Sequence, residues 1–406
     1  MAKCLGAEGY GVYSYVVTLL MFLAIPINAG FANLSVRETS KAIVINNFPL
    51  IHSLIRWFNN ISNFYFGCLL LFLATLYFYK PALIGNNRFK ILLVGLLLVL
   101  LTAKISYQSA VIRGLGRMIT AVISDSLVRP LLFLSMILLT LYLDYSITSR
   151  SVMVLHVASV FISFLLCSFL LYINLPPNRN KSYPKINWTR AALPLTLTGG
   201  IQMMNIYLDV LILGIFHDNR DVGIYRSASS LAIFVSFALS VINPMLHPSF
   251  AKYYHKSEYK KLQQIVTVSS FVIMIISIVP LLLYFLWGEF IIGYVYDESF
   301  KLGYMSLLIL SVGQFANAFC GPVLALLNMT GNDKLAMNGM IYALVLNVFL
   351  AFCLTPRFGI EGCATATAVS MVFWNLLLRI YVARTLNIET ISIFSLNNIL
   401  NFKHKS

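Results

Sequence analysis

Gly11-Val12-Tyr13-Ser14-Tyr15-Val16-Val17-Thr18-Leu19-Leu20-Met21-Phe22-Leu23-Ala24-Ile25-Pro26 opens an apolar run that reaches residue 36. A run of that length can cross a bilayer. Gly223-Ile224-Tyr225 opens another such run, 212 positions later (223 − 11). A second marker follows each of them. Gly116-Arg117 stands 105 positions after Gly11, and Gly331-Asn332-Asp333-Lys334 stands 108 after Gly223. Two markers at nearly equal spacing in each half read as an internal repeat. Repeated halves in a membrane chain point to a transporter with its pathway between the halves.

Composition supports the membrane reading. Of the 406 residues, 59% are apolar and 11% charged. That charged share is less than half of what soluble domains carry. Eleven apolar runs lie at roughly 11–36, 61–79, 91–113, 118–143, 151–175, 191–216, 223–249, 264–287, 302–328, 335–355 and 359–383. The gaps between them are too short for a soluble domain. The expected fold is therefore an all-α polytopic membrane protein, with two pseudo-repeated halves around a central cavity. The expected boundaries are an N-terminal helical half at 1–175, a cytoplasmic linker at 176–190, a C-terminal helical half at 191–384 and a cytoplasmic tail at 385–406.

Charge sets the orientation. Alternate gaps, taken as two sets, hold eighteen and nine Lys plus Arg. The richer set, which includes the C-terminal tail, is expected on the cytoplasmic side. Trp57 and Trp188 then fall at that interface, where indole rings are favoured. The net charge of +15 is mostly loop charge. It suits anionic headgroups and calls for no nucleic-acid partner. With eleven spans and a cytoplasmic C-terminus, Met1 is placed outside. The economical expectation is that one further span precedes the first, giving six plus six.

Several chemistries find no support. Cys4, Cys68, Cys167, Cys320, Cys353 and Cys363 are scattered, with no CxxC or Cys/His cluster for a metal or a disulfide framework. No phosphate-cradling glycine loop followed by Lys-Ser/Thr occurs, so nucleotide is not the expected energy source. No cofactor is expected.

Ionisable and polar residues inside spans mark the candidate sites, because they are costly in lipid and face protein or water. Lys104 and Gln108 share one face of the span 91–113. Asp125 and Arg129, four apart in the next span, can pair along one face. Pro130 follows directly and favours a kink there. In the second half Gln202, Asn205 and Asp209 follow i, i+3, i+7 spacing. Asp209 has no basic residue within a turn in sequence. It must pair across helices, bind a cation or take up a proton. Gln314 and Asn317 form a polar stripe in the span 302–328, and Arg226 lies just inside the second Gly-x-Tyr marker.

These residues resemble a known family. Leu5-Gly6-Ala7-Glu8-Gly9-Tyr10-Gly11-Val12-Tyr13 is similar to the opening signature of the polysaccharide-exporting flippases. These are the Wzx-type O-antigen and capsule repeat-unit flippases of the multidrug/oligosaccharidyl-lipid/polysaccharide exporter superfamily. Arg37-Glu38, Arg113-Gly114-Leu115-Gly116-Arg117, Asp125, Arg129 and Pro130 fit that pattern. So do Ala192-Leu193-Pro194, Asp209, Val222-Gly223-Ile224-Tyr225, Pro248-Ser249-Phe250, Leu327-Asn328-Met329-Thr330-Gly331 and Pro356-Arg357-Phe358-Gly359-Ile360-Glu361-Gly362. The resemblance covers almost the whole chain, with one helix fewer than the family's twelve.

The resemblance implies a transporter, not an enzyme. It would move a polyprenyl-diphosphate-linked oligosaccharide from the cytoplasmic to the periplasmic leaflet of the bacterial inner membrane. Lys104, Arg129 and Arg226 are then expected to hold the diphosphate, with Arg37 and Arg113 at the cytoplasmic mouth. Asp209 is expected to couple transport to H+ or Na+, with Asp125 as a second coupling group. Gln108, Gln202, Asn205, Gln314 and Asn317 would line the cavity. Membrane lipids, and the polymerase and chain-length regulator of the same pathway, are the expected partners. The alternatives are a lipid II flippase or drug/cation antiporter of the same superfamily, and a polytopic polysaccharide polymerase.

Overall fold

The computed structural model describes residues 1–79, 87–177 and 188–390. All eleven apolar runs fall on helices, and no strand occurs among the described residues. Among the described residues seven helices are individually long and apolar enough to cross a membrane, or eight if a bent pair counts as one span. The chain is a multi-pass membrane protein. It divides into two compact units. Unit 1 comprises Met1–Leu5 and Val12–Tyr207, and unit 2 comprises Gly6–Gly11 and the chain from Leu208 onward. Most of the expected linker and tail, at 178–187 and 391–406, lies outside the described residues.

Unit 1 begins with α1 (Ala2–Leu23), α2 (Ile25–Asn28) and α3 (Phe31–Val44). Together they form an apolar helix pair bent by 52° at Ala24. Pro26 sits in the first turn of α2, where its missing N–H costs no helical bond. Next come α4 (Phe48–Tyr79), α5 (Asn87–Gly114), α6 (Met118–Val122), α7 (Val128–Tyr142) and α8 (Ser149–Asn174). A π-helical turn, Ile123–Leu127, separates α6 from α7. The break thus precedes Pro130, because a proline in the first turn of α7 is compatible with the helix. A reciprocal cap starts α8: Thr148 Oγ1 accepts from the Ser151 N–H, and Ser151 Oγ accepts from the Thr148 N–H.

The helices α5 and α8 run parallel, since α7 carries the chain back between them. Gly95 faces Met153, and Gln108 Nε2 donates to Ser168 Oγ at 2.9 Å. The start of α9 (Thr189–Phe216) also belongs to this unit. A Cβ on Gly199 would clash with the Ala29 carbonyl oxygen, so a glycine here permits close helix packing. The two tryptophans expected at one interface meet each other, with Trp57 and Trp188 ring centroids 5.6 Å apart.

Unit 2 continues α9 from Leu208. Its further helices are α10 (Asn219–Ala232), α11 (Phe237–His255), α12 (Tyr259–Val295), α13 (Tyr304–Phe319), α14 (Val323–Met329) and α15 (Asp333–Leu386). A 3₁₀ turn, Ile233–Ser236, interrupts α10 and α11. It falls where the bend at Ala24 falls after the first Gly-x-Tyr marker. The long α15 carries two of the expected spans and bends at Gly359 (φ 58°, ψ −133°). Beyond α15 the chain turns back through Asn387 (φ 53°). Glu389 is then held by two bonds to the Gln263 side chain and by Arg379, whose Nε and Nη2 lie 3.0 and 2.8 Å from Oε1. Ile388 enters the core formed by Phe250, Leu262, Leu326 and Leu378.

The second pair of repeat markers has a common geometry. Gly116 (φ 81°) and Gly331 (φ 78°) both adopt left-handed backbone just past a helix. In each case the next residue donates to the carbonyl five positions back, Arg117 to Ile112 and Asn332 to Leu327. This is the Schellman closure that glycine favours. A Cβ at either site meets nothing within 4 Å. Gly116→Ala and Gly331→Ala should therefore each cost only about 1 kcal/mol, from backbone strain alone. A thermal-shift measurement on the detergent-solubilised variants checks this.

Candidate functional site

Asp209 lies on α9, and its carboxylate is met by groups from two other helices. Tyr225 Oη of α10 donates to Oδ2 at 3.3 Å, and Asn347 Nδ2 of α15 donates to Oδ1 at 3.2 Å. Cys363 Sγ donates to the Asp209 backbone carbonyl at 3.4 Å. Tyr225 Oη is also 3.4 Å from Thr367 Oγ1. Asp209 is 7% exposed. Among the described residues no salt bridge reaches it, and Arg226 acts on it only at longer range. Asn347 Oδ1 is buried without a hydrogen-bond partner among the described residues. A carboxylate, an orphaned amide oxygen and a threonine hydroxyl thus gather in one buried place. Such a set of acceptors suits a small cation or a proton.

Close packing delivers these groups. A Cβ on Gly223 would meet the Ala7 carbonyl oxygen at 2.1 Å, and one on Gly11 would meet the Asn219 carbonyl oxygen at 1.7 Å. The two Gly-x-Tyr glycines therefore let the start of α1 and α10 touch backbone to backbone. Tyr225, two residues after Gly223, is buried as a result and aims at Asp209. Of the alternatives open to Asp209, the structure shows pairing across helices, through neutral hydrogen-bond donors.

The other candidates fall in separate places. Gln202 is exposed on α9, while Asn205 spends its amide on the Ile201 carbonyl at 3.0 Å. Gln314 and Asn317 are half-buried on α13. In unit 1, Lys104 Nζ lies 6.0 Å from the centroid of the Phe164 ring, with Gln108 one turn on at Ser168. Arg129 of α7 is one turn from Phe133, whose ring lies 4.9 Å from that of His156, and its charge acts on that imidazole. Phe164 and His156 are eight residues apart on α8, roughly 12 Å along the helix. Lys104 and Arg129 therefore occupy two levels of the unit. Asp125 belongs to the π-helical turn, and its side chain lies outside what the structure describes.

Arg37 is exposed and paired with its neighbour Glu38, Nη2 to Oε1 at 3.0 Å. Arg113 ends α5 where that helix packs on α3, with Ser40 Oγ donating to the Gly114 carbonyl at 3.3 Å. Its Nε is buried without a hydrogen-bond partner among the described residues. Three participants carried no sequence signal as site residues: Asn347, Thr367 and His156. No group of three His, Cys, Asp or Glu able to hold a metal ion occurs among the described residues.

This helical architecture is similar to that of solved membrane transporters. One similar solved structure is an inward-facing multidrug resistance MATE family transporter of the MOP superfamily. It has a TM-score of 0.76 and 13% identity, over 95% of this chain and 92% of that one. Another is the lipid II flippase MurJ, with a TM-score of 0.65 and 14% identity, over 98% and 91% of the two chains. The chain belongs to the polysaccharide biosynthesis protein family, whose sequence pattern matches residues 1–254. The MatE pattern matches residues 194–353. A curated relative is the probable low-salt glycan biosynthesis flippase Agl15 of Haloferax volcanii, 26% identical over 186 residues. The match spans 45% of this chain and 39% of that protein's length. These relatives are transporters and flippases, not enzymes.

Proposed function

We propose that the chain is a flippase for polyprenyl-diphosphate-linked oligosaccharide repeat units, of the O-antigen or capsule kind, in the bacterial inner membrane. Family membership across residues 1–254, on an exporter fold, is the observation that carries this reading. A sugar headgroup with a diphosphate cannot cross hydrocarbon unaided. A transporter with basic residues inside its spans offers charge-assisted bonds to that diphosphate. Arg129, Lys104 and Arg226 are assigned that task, and Arg37 and Arg113 its capture from the cytoplasm. Alternating access moves the headgroup while the polyprenyl tail stays in lipid. Entry of H+ or Na+ at Asp209 drives the cycle. The polymerase and chain-length regulator of the same pathway would receive the product.

Complementation tests the reading. The chain is expressed in a panel of bacteria that lack their own flippase and make different repeat units. At least one strain should regain surface polysaccharide, and Arg129→Ala should cut it by about tenfold or more, the loss of one charge-assisted contact. No recovery in any strain, with the protein present in membranes, would remove the repeat-unit substrate. The structural neighbours favour a second reading as a lipid II flippase or drug exporter. Rescue of cells depleted of their lipid II flippase, or raised drug tolerance, would point there instead.

A further inference from the structure

The internal repeat pairs more than glycines. Tyr13 belongs to the first Gly-x-Tyr marker and Tyr225 to the second. Tyr13 Oη lies 2.9 Å from His156 Nδ1, 143 residues on. Tyr225 Oη lies 3.4 Å from Thr367 Oγ1, 142 residues on. His156 thus holds in unit 1 the position that Thr367 holds in unit 2. Around Thr367 the buried charge is the Asp209 carboxylate. Around His156 the described charged groups are cations. Arg129, one turn before Phe133 on α7, acts by its charge on the imidazole against which the Phe133 ring packs. Lys104, on α5, stands two turns further along α8, and Arg150 lies near the start of α8 itself. Tyr13 is the titratable group facing the ring from α1. Asp125, in the turn before α7, has no described side chain.

We infer that Tyr13, His156 and Arg129 form a proton-linked anion site in unit 1, taking a phosphate or diphosphate group together with one proton on His156. The diphosphate's origin in a lipid-linked glycan rests on the function proposed above; the site itself does not. A proton on His156 beside Arg129 raises the positive charge within a low-dielectric span, and an incoming anion offsets it. Anion binding and proton binding therefore favour each other by the same factor. The hydrogen bond to Tyr13 changes with the charge. A neutral imidazole has one donor and one acceptor nitrogen, whereas the protonated ring has two donors. With the proton on, Tyr13 Oη must accept from Nδ1–H and turn its own O–H elsewhere. Proton uptake in unit 1 is thereby passed to α1, the helix that bends at Ala24.

The test uses the full chain in nanodiscs with inorganic pyrophosphate as the probe. Calorimetry in two buffers of different ionisation heat counts protons taken up on binding. The native protein should take up a proton as pyrophosphate binds, with higher affinity at about pH 6 than at about pH 8. H156Q should bind about tenfold more weakly at the lower pH and take up about one proton fewer than the native protein, keeping only the pH dependence that the pyrophosphate's own ionisation gives. Y13F should keep proton uptake but move its midpoint. No binding to the native protein, or unchanged proton uptake in H156Q, overturns the inference. If H156Q does not fold, the histidine ring-nitrogen NMR signals of the native protein decide. One ring that gains its proton on adding pyrophosphate, with its midpoint moved in Y13F and the response lost in R129A, sustains the site, and no such ring overturns it. Flipping in cells without proton-linked pyrophosphate binding would remove only this site. Proton-linked binding without flipping would remove only the transport reading.

Discussion

Asp209→Asn should abolish ion-driven transport and leave the protein folded. The substitution keeps the side chain's shape and removes its charge. The asparagine oxygen can still accept from Tyr225 or Asn347, and its new N–H₂ finds the orphaned Asn347 Oδ1 as acceptor. On the function proposed above, a coupling ion would lose its charged ligand. In sealed vesicles, transport driven by a proton or sodium gradient should fall by about tenfold or more, the usual scale of a coupling free energy. Melting temperature should stay near that of the native protein. Native transport that responds to neither gradient would remove Asp209 from the energy cycle. So would unimpaired gradient-driven transport in the variant.

Gly223→Val should remove folded protein from the membrane altogether. Even a first carbon at this position would sit 2.1 Å from the Ala7 carbonyl oxygen and 3.0 Å from the Gly11 nitrogen. These are backbone atoms and cannot rotate aside, so α10 and the start of α1 must part. Separation costs their packing and withdraws Tyr225 from Asp209. The expected loss exceeds about 3 kcal/mol, the upper range for overpacking. Gly11→Val should do the same from the other side. Gly67→Ala on α4 is the control, since nothing lies within 4 Å of a Cβ there. Membrane abundance of fluorescently tagged variants reads all three.

The spans were legible because lipid demands long apolar runs, and every such run became helix. The repeat was legible because its marker glycines answer geometric needs. Gly11 and Gly223 allow backbone contact, and Gly116 and Gly331 supply left-handed turns. The break near Arg129 was legible only in part. Sequence placed it at Pro130, yet a proline tolerated in a first helical turn marks a start as readily as a kink. Asp209 stood out as a lone acid in an apolar span. Its partner Asn347 lies 138 residues away, and spacing within one helix cannot disclose such contacts. His156 forms no pattern of its own among the serines of α8. What could have found it was the repeat itself, since Tyr13 and Tyr225 invite a search for partners at matching distances.

The seam between Gly11 and Gly223 also has a timetable. Its two sides are separated by 212 residues of chain (223 − 11). At ordinary rates of synthesis, about 5–20 residues per second, the second side emerges roughly 10–40 s after the first. Throughout that interval Ala7 and Gly11 present a bare, small-residue helix face to lipid or to neighbouring nascent chains. Small-residue faces of this kind are what transmembrane helices use to associate. The newborn protein thus passes through a period in which its first helix is competent to join the wrong partner. Slowing translation before Asn219 should lengthen that period and lower the yield of correctly assembled molecules.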